Sequence, residues 1–193
     1  MAKNNRQGKA AVWTPKTIAL LRRELKTPRQ RLAFEISLWT GERMGAIVQL
    51  KVSDVYDDRG KVRETINFGG RTRKSSKHGI ALTRQIFIHD VLRNELSRYN
   101  PPGSGYLFCS HVSRSGHITA RSVDDYWRRI LTSHGYYGFS THSSRRWVIN
   151  KLRQAGIGLV TISEAMAISI ATVRKYLDDD PVACKNAIAT LSV

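Results

Sequence analysis

Along most of the chain an apolar residue recurs every third or fourth position, and over one short stretch the period drops to two. Thr14-Pro15 sets a cap residue before a proline at the first helical position, and Ile18, Leu20, Leu21 and Leu25 follow at helical spacing. Pro28 opens a second helix that carries Leu32, Phe34, Ile36 and Leu38 to Gly41, and a short helix is predicted from Arg43 to about Leu50. Residues 52–55, 62–68 and 79–83 read as short strands, separated by Asp57-Asp58-Arg59-Gly60 and a basic stretch over 69–78. Helical spacing resumes over 87–96, Asn100-Pro101-Pro102-Gly103 breaks it, and 106–109 reads as a short strand within a loop region. Helices are then predicted over 120–134, 142–155, 159–166, 170–178 and 181–191, the last opened by Asp180-Pro181 in the same cap-then-proline form. The pattern predicts a mostly α fold with a small antiparallel β-sheet (α+β) near its first third.

Composition narrows the partners without fixing the chemistry. A chain of 193 residues with 41% hydrophobic residues can bury one core, so a single domain is expected over 13–193 after a basic flexible arm over 1–12. Lysine and arginine total 32 against 15 acidic residues, a formal charge of +17. Charge that far from zero repels itself in the folded state, and a polyanionic partner offsets it by releasing condensed counterions. Nucleic acid fits, although a ribosomal or chromatin protein would show the same excess. Cys109 and Cys184 lie far apart, without the paired spacing of a zinc site, so reduced thiols and no metal are expected. The sequence has no apolar run of about 18 residues and no apolar leader at its start, which predicts a cytoplasmic protein with no membrane partner.

Four local features could carry chemistry. The first is Thr40-Gly41-Glu42-Arg43, followed by an apolar short helix and then Leu50, Asp54 and Val55. The second is the basic hairpin sequence, with Arg71, Arg73, Lys74 and Lys77 between two expected strands. The third is His142-Ser143-Ser144-Arg145-Arg146 at an expected helix start, where His142 and Arg145 fall on one face. The fourth is Tyr176 at the polar end of a helix, beside Arg174 and Lys175. Taken singly, each has an ordinary reading: a surface arginine, a basic turn, a capped helix, a packing tyrosine.

In this order and spacing, the four resemble the catalytic domain of the tyrosine recombinase (phage integrase) family. The match covers T-G-x-R followed by L-x-x-x-D-[IV], a lysine turn between strands, H-x-x-R-[RH], and a tyrosine about thirty residues further on. The resemblance implies a tyrosine recombinase catalytic-domain fold and a DNA-cleaving site in which Arg43, Lys74, His142, Arg145 and Tyr176 are catalytic. Arg71, Arg73, Lys77, Arg146, Arg174 and Lys175 would contact DNA. It implies a 3′-phosphotyrosyl intermediate, no cofactor, double-stranded DNA target sites, and a homo-tetramer on DNA formed from monomers. Residues 181–193 would be a docking helix. Arg73 and Lys77 are the neighbours that a shifted alignment would choose in place of Lys74.

Two positions depart from the family pattern. The acidic residue usual three positions after the first arginine is Ala46, and the histidine of an L-G-H motif about nine residues before the tyrosine is replaced by Ala167. A catalytically weakened homologue is therefore an alternative. So is a non-cleaving regulator, because 161–177 also reads as a helix-turn-helix. In that alternative Ala165, Ile168, Val173 and Leu177 face the core, and Thr172, Arg174 and Lys175 face a major groove.

Overall fold

A computed structural model describes residues 9–70, 83–177 and 189. Helix α1 (Pro15–Glu24) and helix α2 (Pro28–Thr40) both begin with proline after a threonine. In each, the threonine side chain accepts an amide N–H and the residue three positions on returns a bond to the threonine backbone, so two end donors are satisfied. Helix α2 stops at Gly41, whose φ of 60° is left-handed. A Cβ there would also meet the Met166 methyl at 2.7 Å and Val148 Cβ at 3.0 Å, so two independent constraints require glycine.

The short helix α3 (Met44–Ile47) follows, then the hairpin pair β1 (Thr65–Phe68) and β2 (Arg84–Phe87). They pair antiparallel with Thr65 opposite Phe87 and Phe68 opposite Arg84. The strand expected over 52–55 is instead a 3-10 turn over Val52–Asp54. The Asp54 carboxylate accepts the Lys51 amide at 2.8 Å, and this local bond competes with an extended ladder. The second hairpin strand starts at Arg84, later than the expected 79–83, of which only residue 83 is described. Tyr106 makes an isolated bridge to Lys51, and Cys109, half-buried, makes one to His117.

Helix α4 (Asp90–Arg98), helix α5 (Ala120–Ser133), helix α6 (His142–Gln154), helix α7 (Leu159–Met166) and helix α8 (Ile170–Tyr176) complete the described fold. Of the expected helix over 181–191 only residue 189 is described, and Cys184 lies outside the described residues. No helix among the described residues is long and apolar enough to cross a membrane.

The main core joins α1 through α5, with Trp13 stacked on Phe139 at 5.0 Å and edge-on to Phe34 and Trp127. Trp13 Nε1 donates to Ser144 Oγ at 2.9 Å, and Ser144 Oγ lies 2.9 Å from Ser37 Oγ, which fixes α6 to this core. A second, smaller cluster of Ile149, Ile162, Met166 and Val173 holds α7 and α8 on α6. Ala165, assigned to the core in the helix-turn-helix reading, is exposed, and Ile162 and Met166 point inward instead.

Among the described residues, Ala167 is the one non-glycine with positive φ, at 46°. It closes α7 with two bonds, its own N–H to Glu164 and the Ile168 N–H to Ser163. Left-handed backbone costs a residue with a Cβ roughly 1–2 kcal/mol. Ala167→Gly is therefore expected to raise stability by about 1 kcal/mol despite the added freedom of the unfolded chain, read as a higher thermal unfolding midpoint.

Candidate active site

Arg145 is set one turn into α6 and is 2% exposed. Its Nη1 lies 3.4 Å from Glu42 Oε1, and its Nη2 donates to the Met166 carbonyl at 3.3 Å. Its Nε is buried and has no hydrogen-bond partner among the described residues. The guanidinium carbon stands 5.9 Å from the centre of the Tyr176 ring, at the last residue of α8. A buried donor without a partner is costly unless a ligand supplies the acceptor.

Glu42 ties this arrangement together from the turn between α2 and α3. Its Oε1 also accepts the Arg43 amide at 2.8 Å, and its Oε2 lies 2.7 Å from Arg84 Nη1. Arg84 Nη1 donates to the same Met166 carbonyl at 2.6 Å. Two buried guanidinium groups thus share one carboxylate and one helix-terminal carbonyl. Sequence reasoning missed both Glu42 and Arg84. An acid inside T-G-x-R gave a usable signal for the first, whereas Arg84 had none, since it follows the hairpin like any strand residue.

Arg43 is exposed at the start of α3, near enough for its charge to act on both Arg145 and His142. Burial pushes the Arg145 guanidinium below its ordinary value, Glu42 opposes this, and Arg43 adds to it. Even so, an arginine remains charged at neutral pH. His142 is exposed overall, yet the covered part of its ring and then the Arg145 charge hold it below the usual histidine value, with Asp124 opposing. The imidazole is therefore neutral at pH 7 and available to accept a proton. Tyr176 is half-buried and lines a cleft of about 440 Å³ with Arg128, Ser140, His142, Arg146 and Lys175.

The remaining expected residues divide into three groups. Arg174 and Lys175 are exposed on α8. Arg146 is 6% exposed, and its Nε donates to the Tyr176 carbonyl at 3.3 Å while Nη1 donates to the Ala10 carbonyl. Asn150 donates to the same Tyr176 carbonyl at 3.1 Å, so two α6 side chains hold the end of α8. Arg71, Arg73, Lys74 and Lys77 lie outside the described residues. Of the arm expected over 1–12, residues 9–12 are described. There Ala11 donates to the Gly138 carbonyl at 2.9 Å and Lys9 Nζ to the Leu177 carbonyl at 2.7 Å.

Ala167, where the family pattern has its histidine, holds a left-handed turn, a conformation that glycine suits best. Ile168 packs against the small apolar cluster and offers no donor.

Solved structures share this arrangement of helices around a small sheet. The catalytic domain of bacteriophage HP1 integrase superposes with a TM-score of 0.63 at 18% identity, over 94% of this chain and 95% of that one. XerA recombinase gives a TM-score of 0.68 at 17% identity, over 98% of this chain and 65% of that one. XerH site-specific recombinase, captured with a palindromic difH substrate after cleavage, gives 0.68 at 20% identity, over 98% and 55%. The fold is that of an integrase catalytic domain. The model of the phage integrase family matches residues 14–182, and the chain belongs to that family. In sequence it is 28% identical over 170 residues to tyrosine recombinase XerC of Roseiflexus castenholzii, across 84% of this chain. The chain spans 53% of the length of that relative.

Proposed function

We propose that this chain carries the catalytic site of a site-specific DNA recombinase that cuts and rejoins strands through a 3′-phosphotyrosyl intermediate. The observation that carries the proposal is Arg145, buried, oriented by Glu42 and Met166, and placed beside Tyr176 with Nε left for a ligand oxygen. Arg43 and Arg145 would hold the non-bridging oxygens of the scissile phosphate, where pre-placed positive charge is worth most. The Tyr176 oxygen attacks phosphorus as its proton passes to the neutral His142, and the bond to the 5′ oxygen breaks. Lys74 protonates that leaving oxygen. A 5′-hydroxyl from another strand then reverses the step. The ester is conserved throughout, so the reaction needs no cofactor.

Arg71, Arg73, Lys77, Arg174 and Lys175 would add phosphate contacts, and Arg146 fixes the backbone that carries the nucleophile. Assembly on DNA would bring two duplexes and four protomers together, with residues 181–193 docking between neighbours and monomers present in the absence of DNA. The XerH structure, a post-cleavage complex with its difH substrate, supports the same class of partner for a domain of this fold. Ala167 in place of a histidine donor favours an enzyme slower than one with an imidazole there.

The test is covalent capture. The protein is incubated with a library of nicked duplexes of randomised sequence, and denaturant-resistant adducts are isolated and sequenced. Adducts are expected with the unaltered chain and are expected to vanish in Tyr176→Phe. Specific DNA binding without adducts from the unaltered chain, under conditions that saturate the recovered site, would overturn the proposal in favour of a non-cleaving regulator.

A further inference from the structure

A carboxylate that is 7% exposed is unfavourable unless its oxygens are satisfied, and Glu42 meets that condition in a specific way. Oε1 takes the Arg43 amide at 2.8 Å and faces Arg145 Nη1 at 3.4 Å, while Oε2 pairs with Arg84 at 2.7 Å. One side chain therefore sets the peptide that presents Arg43 and the guanidinium of Arg145. At Arg145 it engages only Nη1, while Nη2 bonds the Met166 carbonyl and Nε is buried without a hydrogen-bond partner among the described residues. Arg84 supplies the second positive charge on the carboxylate, so Glu42 does not present an uncompensated negative charge to a phosphate.

Position 46, where the recombinase pattern has its acid, carries an alanine that is 3% exposed and offers no acceptor beyond its backbone. Building on the recombinase reading above, we infer that Glu42 is the positioning residue of this site. It replaces an acid at position 46 by pinning Arg43 and Arg145 in register from the residue before the first arginine. Glu42 touches no reacting atom in this scheme, and acts through the two arginines.

Glu42→Gln keeps the shape and removes the charge, while Glu42→Asp keeps the charge on a shorter arm. With nicked duplex of the captured sequence at saturating concentration, Glu42→Gln is expected to slow adduct formation at least tenfold. Affinity for the intact duplex should stay within about twofold, because phosphate contacts elsewhere carry most binding. Glu42→Asp should recover part of the rate. An unchanged rate in Glu42→Gln, or equal losses of rate and affinity, would overturn the inference.

If Glu42→Gln does not fold, Glu42→Asp decides alone: a rate equal to that of the unaltered chain goes against the inference, and a reduced rate at unchanged affinity supports it. A second measurement needs no cleavage. The Arg145 Nε–H resonance in ¹⁵N-arginine-labelled protein should be sharp and protected from exchange in the unaltered chain, and broadened in the variant. If the unaltered chain forms no adduct, the recombinase reading fails, and the resonance still decides whether Glu42 orders Arg145. An identical resonance in both proteins counts against it.

Discussion

Arg145→Lys is expected to slow covalent adduct formation by roughly two to three orders of magnitude, the loss typical of removing one pre-placed donor to developing oxyanion charge. The guanidinium bonds Glu42 and the Met166 carbonyl from separate nitrogens while Nε is buried without a hydrogen-bond partner among the described residues. An ammonium is a point charge on a flexible stem, and it cannot span those acceptors and present a further donor in a fixed plane. Single-turnover capture on nicked duplex measures the effect, with intact-duplex affinity as the control. A lysine variant within tenfold of the original rate would show that Arg145 holds the fold rather than the phosphate.

The largest loss of stability is expected from Trp13→Ala. The indole is 2% exposed, stacks on Phe139 at 5.0 Å, and meets Phe34 at 5.8 Å and Trp127 at 6.1 Å. Removing a buried aromatic of this kind costs about 3–5 kcal/mol. That is a large share of the roughly 5–15 kcal/mol by which a domain is stable. For a chain of this size the thermal midpoint should fall by about 10 °C or more. Trp13→Phe retains ring packing but withdraws the donor to Ser144 Oγ, so it should cost less, with about 1 kcal/mol of its loss from the hydrogen bond. Calorimetry of the three proteins separates the two contributions. Midpoints of Trp13→Ala and the unaltered chain within a few degrees would mean that the aromatic cluster relaxes around the gap.

The helices were legible because their ends carry chemistry as well as apolar spacing. Thr14-Pro15, Thr27-Pro28 and Ser169 each cap a helix where the pattern places its start, and α7 has the predicted limits. The strand expected over 52–55 failed because alternation is a statement about faces, whereas the Asp54 carboxylate bonding the Lys51 amide is a local competitor that alternation ignores. Ala165 was misassigned for a related reason. In a short helix several rotations fit the apolar residues, and packing against α6 chose the one that buries Ile162 and Met166.

At the site, Arg145 and Tyr176 could be named from their order and spacing, but nothing in the sequence brings them within 5.9 Å. Glu42 and Arg84 matter through burial and mutual pairing across separate elements, which residue spacing does not encode. Likewise, the left-handed turn at Ala167 is a backbone property that an alanine in the sequence does not signal.

The two apolar clusters have a consequence for how the site comes together. Trp13 and Ser37 tie the start of α6, with Arg145 on it, to the large cluster, whereas Tyr176 rides on α7 and α8, which pack on α6 through the small cluster and are bonded at the Met166 and Tyr176 carbonyls by Arg84, Arg145, Arg146 and Asn150. Free energies of local opening follow the apolar contacts that each segment makes, so residues 159–177 are expected to open before the body that holds the arginines, read as faster amide hydrogen exchange over that segment. On the recombinase reading, the nucleophile and its electrostatic partners would then belong to different cooperative units. Their meeting would be an equilibrium, and a ligand that bridges them, a phosphate above all, would shift it toward the closed arrangement as it binds.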